Sequence, residues 1–77
     1  MYINLTQLKE RERARIVGVC GGEGFVRKLD ASGIRVGVEI IKISSQFMRG
    51  PIVIKAGSTQ IAVGYGMARK IMVEIQQ

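Results

Sequence analysis

The chain has 77 residues, with 12 basic and 6 acidic side chains, a net charge of +6 and no histidine. That length supports one domain, read here as spanning residues 1–77, near the lower limit for a core held by neither disulfide nor metal. The absence of histidine removes the commonest neutral-pH base and the commonest zinc ligand, and a single cysteine excludes an internal disulfide.

The apolar weight lies in isoleucine and valine, which fit a pleated surface better than a helix. The chain opens on Asn4-Leu5-Thr6-Gln7-Leu8. Leu5 and Leu8 are three apart and can both face inward from one helical turn, with Asn4 or Thr6 as its cap. Residues 9–13 form a charged hinge. Residues 13–20 are the first good strand, with Ala14 and Ile16 on one face and Arg13 and Arg15 on the other. Val17 and Val19 then fall on the second face, so either both faces are covered or a bulge shifts the phase near Gly18. Cys20 at the end of this strand is expected to be a buried thiol.

Residues 24–32 read as a short helix with Phe25, Val26 and Leu29 on one stripe, closed by Gly33 in a left-handed C-terminal position. Gly37 marks the turn into a second strand over 38–45, where Ile40, Ile41 and Ile43 cannot share one face, so a bulge or a strong bend is expected. Residues 46–51 form a loop with two apolar side chains, Phe47 and Met48. Strands over 52–56 and 59–64 flank Gly57-Ser58, the clearest hairpin of the chain. Gly64, Gly66 and Met67-Ala68-Arg69-Lys70 suggest a turn and one short 3-10 turn. Ile71, Val73 and Ile75 then alternate in a last strand, paired back to the first. The sum is an all-β fold, a small, partly closed SH3-like barrel of about five strands with one short helix, and an OB-like barrel as the alternative.

The residues carry little reactive chemistry. The serines have no histidine to activate them, Glu10 and Glu12 lie on a charged hinge, and the glycines lack the Lys-Ser or Lys-Thr of a phosphate-binding loop. These features argue against an enzyme. Cys20, Glu23, Met48, Met67 and Met72 do not cluster at ligand spacing, so no metal ligand and no cofactor is assigned, and no tight Fe²⁺ or Zn²⁺ site is expected in the monomer. The basic residues leave an anionic partner open, and a small basic barrel binding nucleic acid is the alternative function. No secretory leader and no bilayer-length apolar run is visible, which gives a cytoplasmic protein with no direct membrane insertion as the expectation.

Taken in order, several segments resemble the FeoA family, the ferrous-iron transport protein A. They are the leading Leu5 and Leu8, Glu12-Arg13-Ala14-Arg15-Ile16, Leu29 with Gly33-Ile34 and Gly37, Gly50-Pro51-Ile52, Ile61-Ala62-Val63 and Ile71-Met72-Val73. The chain departs from the family pattern at Arg11, where a glycine turn is frequent, and at Ser32, where a larger residue is frequent. The resemblance implies an SH3-like barrel and an accessory role in ferrous iron uptake, through protein–protein contact with the FeoB-type membrane GTPase permease at its cytoplasmic face. It also carries an association with transition-metal ion binding, to which the residues here lend little support. The same barrel occurs as the C-terminal domain of iron-dependent repressors, but this chain shows no helix-turn-helix. The expected partner surface comprises Arg27, Lys28 and Arg35 beside the helix, and Phe47, Met48 and Arg49 on the following loop. A homo-oligomer stays open.

Overall fold

The computed structural model describes residues 1–45 and 50–76. Its order is β1 (Tyr2–Asn4), a 3-10 helix (Leu5–Gln7), β2 (Arg13–Val19), α1 (Glu23–Ala31), β3 (Glu39–Ser45), β4 (Ile52–Ala56), β5 (Thr59–Val63), α2 (Tyr65–Ala68) and β6 (Ile71–Ile75). The strands form one antiparallel sheet in the order β1-β6-β2-β3-β4-β5. Ala14, Ile16, Ile40, Ile52, Ile54, Val63, Ile71 and Val73 are buried in a single core, as alternation requires of a curled sheet.

The SH3-like reading holds, with six strands rather than five. The additional strand, β1, is only three residues long and pairs with β6 alone. The last strand pairs with the first long one, as expected, from Val19↔Ile71 to Ala14↔Ile75. Both irregularities anticipated from the apolar pattern are present. The β2–β6 register shifts between Ile16 and Gly18, and the β3–β4 register shifts between Lys42 and Ser44. Each extra residue bends its strand and rotates the following side chains, which is how runs such as Ile40-Ile41-Lys42-Ile43 fit a curved sheet. The helical turn expected within 64–70 is α2, Tyr65–Ala68, and is α rather than 3-10. Cys20 is exposed, not buried. It lies one residue beyond β2, where its N–H donates to the Lys70 carbonyl at 2.7 Å and the strand has left the core.

The N-terminal turn is held from two sides. Asn4 Oδ1 accepts from the Thr6 N–H at 2.9 Å, and Gln7 Oε1 accepts from the Asn4 N–H at 3.0 Å, so a capping box closes the 3-10 helix. Leu5 and Leu8 then point into the core. At the other end Lys42, only 2% exposed, reaches in from β3, and its Nζ donates to the carbonyls of Leu5 at 3.5 Å, Thr6 at 3.3 Å and Leu8. An ammonium has three protons and no acceptor, so three converging carbonyls at a helix C-terminus satisfy it completely. The alternation of β3 thus places a lysine inward and half-buries Ile41 and Ile43, the inverse of what side-chain polarity alone suggests. Burial lowers the pKa of Lys42 from its ordinary value, and the negative charges of Glu10 and Glu12 oppose that shift.

The hinge over 9–12 is an ordered turn. Lys9 N–H donates to Glu12 Oε1 at 3.0 Å, Glu12 N–H to the Lys9 carbonyl at 3.1 Å, and Arg11 N–H to the Lys42 carbonyl at 2.6 Å. Arg11 adopts φ +66°, left-handed for a residue with a Cβ. The arginine therefore stands where the backbone favours glycine.

Two predictions follow from this corner of the molecule. Arg11→Gly is expected to raise stability by roughly 0.5–1 kcal/mol in denaturant melts, because the left-handed penalty exceeds the added entropy of the unfolded glycine. A loss of stability would contradict the strain. Lys42→Met is expected to lower stability by about 1–3 kcal/mol at neutral pH, because it leaves the carbonyls unpaired. Lys42 has a folded pKa below its unfolded value of 10.5, so the unfolded chain holds more protons as pH rises toward 10.5. Its contribution therefore grows with pH in that window, and the gap to Lys42→Met should widen. A gap that narrows would overturn the assignment.

Candidate functional site: an apolar groove beside α1

α1 has nine residues and could not persist in water alone. Its C-terminus fixes it to the barrel. Ser32 is the cap, Gly33 turns left-handed with φ +90°, and two reversed hydrogen bonds follow. Gly33 N–H donates to the Asp30 carbonyl at 3.0 Å and Ile34 N–H to the Leu29 carbonyl at 2.9 Å, a complete Schellman motif. Its hydrophobic pair is Leu29 and Ile34, both buried in the core. The chain then turns at Gly37, whose N–H donates to the Ile16 carbonyl at 2.8 Å, and passes into β3.

This path leaves a groove of about 220 Å³ between α1, the end of β2 and the turn after the helix. Val19 and Ile34 form part of its lining together with Val26 and Val36. Val26 is 40% exposed and Val36 63% exposed. The helix stripe is therefore narrower than its pattern suggests. Leu29 is buried and Phe25 half-buried, with Lys70 Nζ 5.4 Å from its ring centroid, but Val26 faces the groove. A second, larger concavity of about 400 Å³ lies over β3 between Arg13, Glu39 and Lys55. Among the described residues the large exposed apolar side chains are Met1, Tyr2, Val26 and Val36, and two of these four line the α1 groove. That concentration makes the groove the candidate docking surface of the described residues.

Arg27 and Arg35 both line the groove, and Lys28 is exposed on the same helix. The two arginines are not a bare cationic patch. Arg27 pairs with Glu23 at 2.9 Å and Arg35 with Asp30 at 3.4 Å, all with exposed side chains. Such exposed surface pairs contribute little to stability. Phe47, Met48 and Arg49 lie outside the described residues. Val36 is the site residue that sequence reasoning missed. It is an isolated apolar residue in a turn, and only its place in the same groove as Val26 gives it meaning. Among the described residues no three Cys, Asp or Glu side chains come together as a metal-binding group, and no helix is long and apolar enough to cross a membrane.

The FeoA domain model matches residues 3–75. A curated protein of Methanocaldococcus jannaschii, provisionally named Fe(2+) transport protein A, is 36% identical over 66 residues, covering 86% of this chain and 78% of that one. A crystal structure of an iron uptake regulatory protein (FeoA) superposes with a TM-score of 0.88 at 29% identity, covering 99% of both chains. A manganese-dependent transcriptional repressor shares the fold, with a TM-score of 0.89 at 14% identity over 97% of this chain and 42% of that one.

The seating of α1 is expected to depend on its buried leucine. Leu29→Ala should lower unfolding free energy by roughly 2–5 kcal/mol in a denaturant melt, the cost of a core cavity. A loss below about 0.5 kcal/mol, the range of a surface change, would detach the helix from the core.

Proposed function

The chain belongs to the FeoA family, and we propose that it serves ferrous iron transport as an accessory protein, docking through the α1 groove onto the cytoplasmic part of a FeoB-type membrane GTPase permease. The observation that carries this reading is the groove itself, with Val26 and Val36 exposed on it and Arg27 and Arg35 beside them. An apolar side chain of the partner fills the space between α1 and the turn after it. Carboxylates of the partner replace Glu23 and Asp30 at the two arginines, and Lys28 adds a third cation. Phe47, Met48 and Arg49, which follow β3 in the sequence, are proposed as further contacts with the same partner. The domain, taken as residues 1–77, contributes contacts rather than a catalytic step, and the ferrous ion is the cargo of its partner rather than a resident group.

Partners that anchor a side chain in a desolvated groove lose most of their affinity when a charge is placed there. Val36→Asp, the Arg27→Glu/Arg35→Glu pair and, separately, Met48→Ser are each expected to reduce co-purification with the permease and ferrous iron uptake by tenfold or more, as far as about 2 kcal/mol of a contact's energy reaches. Circular dichroism first establishes that each variant is folded. If every folded variant binds and supports uptake like the parent, the surface is wrong. If charge reversal instead abolishes RNA or DNA binding with a steep salt dependence, the nucleic-acid reading replaces this one.

A further inference from the structure

The sheet is not closed by strand pairing. β5 pairs with β4 on one side, and among the described residues nothing hydrogen-bonds to its other side. Proteins usually protect such an edge with a lysine, a proline or a bulge. β5, Thr-Gln-Ile-Ala-Val, has none of these, and its β4 register is regular from Ala56↔Thr59 to Ile52↔Val63. The edge also lies within the longest charge-free run of the chain, the 13 residues 56–68, although 23% of the residues are charged. Thr59, Gln60 and Ala62 are exposed.

The hairpin fixes which backbone groups the edge presents. Ala56 and Thr59 close a two-residue turn in which Gly57 has φ +62°, so they form a hydrogen-bonded pair. Alternation then directs the N–H and carbonyl of Thr59, Ile61 and Val63 toward β4 and those of Gln60 and Ala62 outward. Two donors and two acceptors thus stand on the open side at a spacing of two residues.

From this we infer that β5 is a self-pairing surface: two copies of the chain join β5 to β5 antiparallel about a two-fold axis at Ile61, making a continuous sheet through both barrels. Gln60 of one copy then exchanges both backbone hydrogen bonds with Ala62 of the other, and the symmetric pair does the same. All four outward groups of each copy are satisfied, which is the self-complementarity an isologous contact demands. Ile61, half-buried in the monomer, meets its own symmetry mate. The partner is a second copy because the seam carries no charge. Two molecules of net charge +6 repel everywhere else, and only an uncharged edge lets them approach. The pairing uses none of the residues that line the α1 groove and does not depend on the transport reading.

Sedimentation equilibrium of the full chain tests this. A monomer–dimer equilibrium is expected, and the dimer should strengthen as salt rises from about 0.05 to about 0.5 M, because screening relieves repulsion and no ion pair is lost. Ala62→Pro removes one outward N–H from each copy at an edge position that tolerates proline, and should weaken dimerisation roughly tenfold or more while leaving the monomer folded. If that variant does not fold, cross-linking decides. With Cys20→Ser removing the native thiol, Ile61→Cys should form an intermolecular disulfide on oxidation. Its Cα lies about 4.5 Å from its mate in a non-hydrogen-bonded pair, within the reach of a disulfide. Gln60→Cys, on the opposite face and off the axis, should not. A chain that stays monomeric at every salt concentration overturns the proposal. So does a dimer that ignores a folded Ala62→Pro, or cross-linking at Gln60→Cys that equals that at Ile61→Cys.

Discussion

The reversal of the chain after α1 is the constraint on which the rest depends. A nine-residue helix brings too few hydrogen bonds to hold itself, and its location rests on Leu29 and Ile34 entering the core from either side of Gly33. Burying the two side chains contributes on the order of 1.5–3 kcal/mol each, before the entropy of ordering the segment is subtracted. Because Gly33 folds the chain back on itself, Val36 is brought into the same groove as Val26, and Arg35 comes within 3.4 Å of Asp30. The groove is thus a by-product of the way the helix is capped. Changes to the cap act on the groove even though no cap residue need touch a partner.

A second tie acts at the other end of the barrel. The N-terminal turn contributes Leu5 and Leu8 to the core, and its carbonyls are satisfied by Lys42 from a strand more than thirty residues away. A charge inside a small core is expensive unless it is fully hydrogen-bonded, and here it is. The same lysine carries its backbone into the turn over 9–12, donating its N–H to the Glu12 carbonyl at 3.1 Å and accepting from Arg11. Lys42 therefore joins the N-terminus, the strained turn and β3 in one network, which suits a domain with a core too small to tolerate loose ends.

Much of the fold was legible in the sequence where one rule acted alone. β4, β5 and β6 alternate cleanly and lie where the pattern puts them, and Gly33 could serve only one purpose between a helix and an apolar residue. The two bulges were legible as conflicts, since Val17-Gly18-Val19 and Ile40-Ile41-Lys42-Ile43 fit no uniform strand. Features that depend on long-range contacts were not. Lys42 is polar by type and buried by partnership, and its partners lie in a turn that sequence order sets far away. Cys20 follows an apolar strand, yet the chain has left the core by then. β1 is three residues long and draws its stability from β6. At the candidate site, the basic residues were visible, while their pairing with Glu23 and Asp30 emerged only in the structure. The part played by Val36 was not, because it arises from the cap.

Native-state amide hydrogen exchange tests most directly the claim that α1 and its cap are part of one cooperative unit with the barrel. The Ile34 N–H, bonded to the Leu29 carbonyl, is the reporter, and the Ile16 N–H, bonded to the Val38 carbonyl in the core of the sheet, is the reference. If the helix is seated as described, both exchange with the free energy of global unfolding and shift together with denaturant. If Ile34 instead exchanges through a local opening at a small fraction of that free energy, with little dependence on denaturant, the helix rests on the barrel without belonging to it. The groove would then lack a fixed wall.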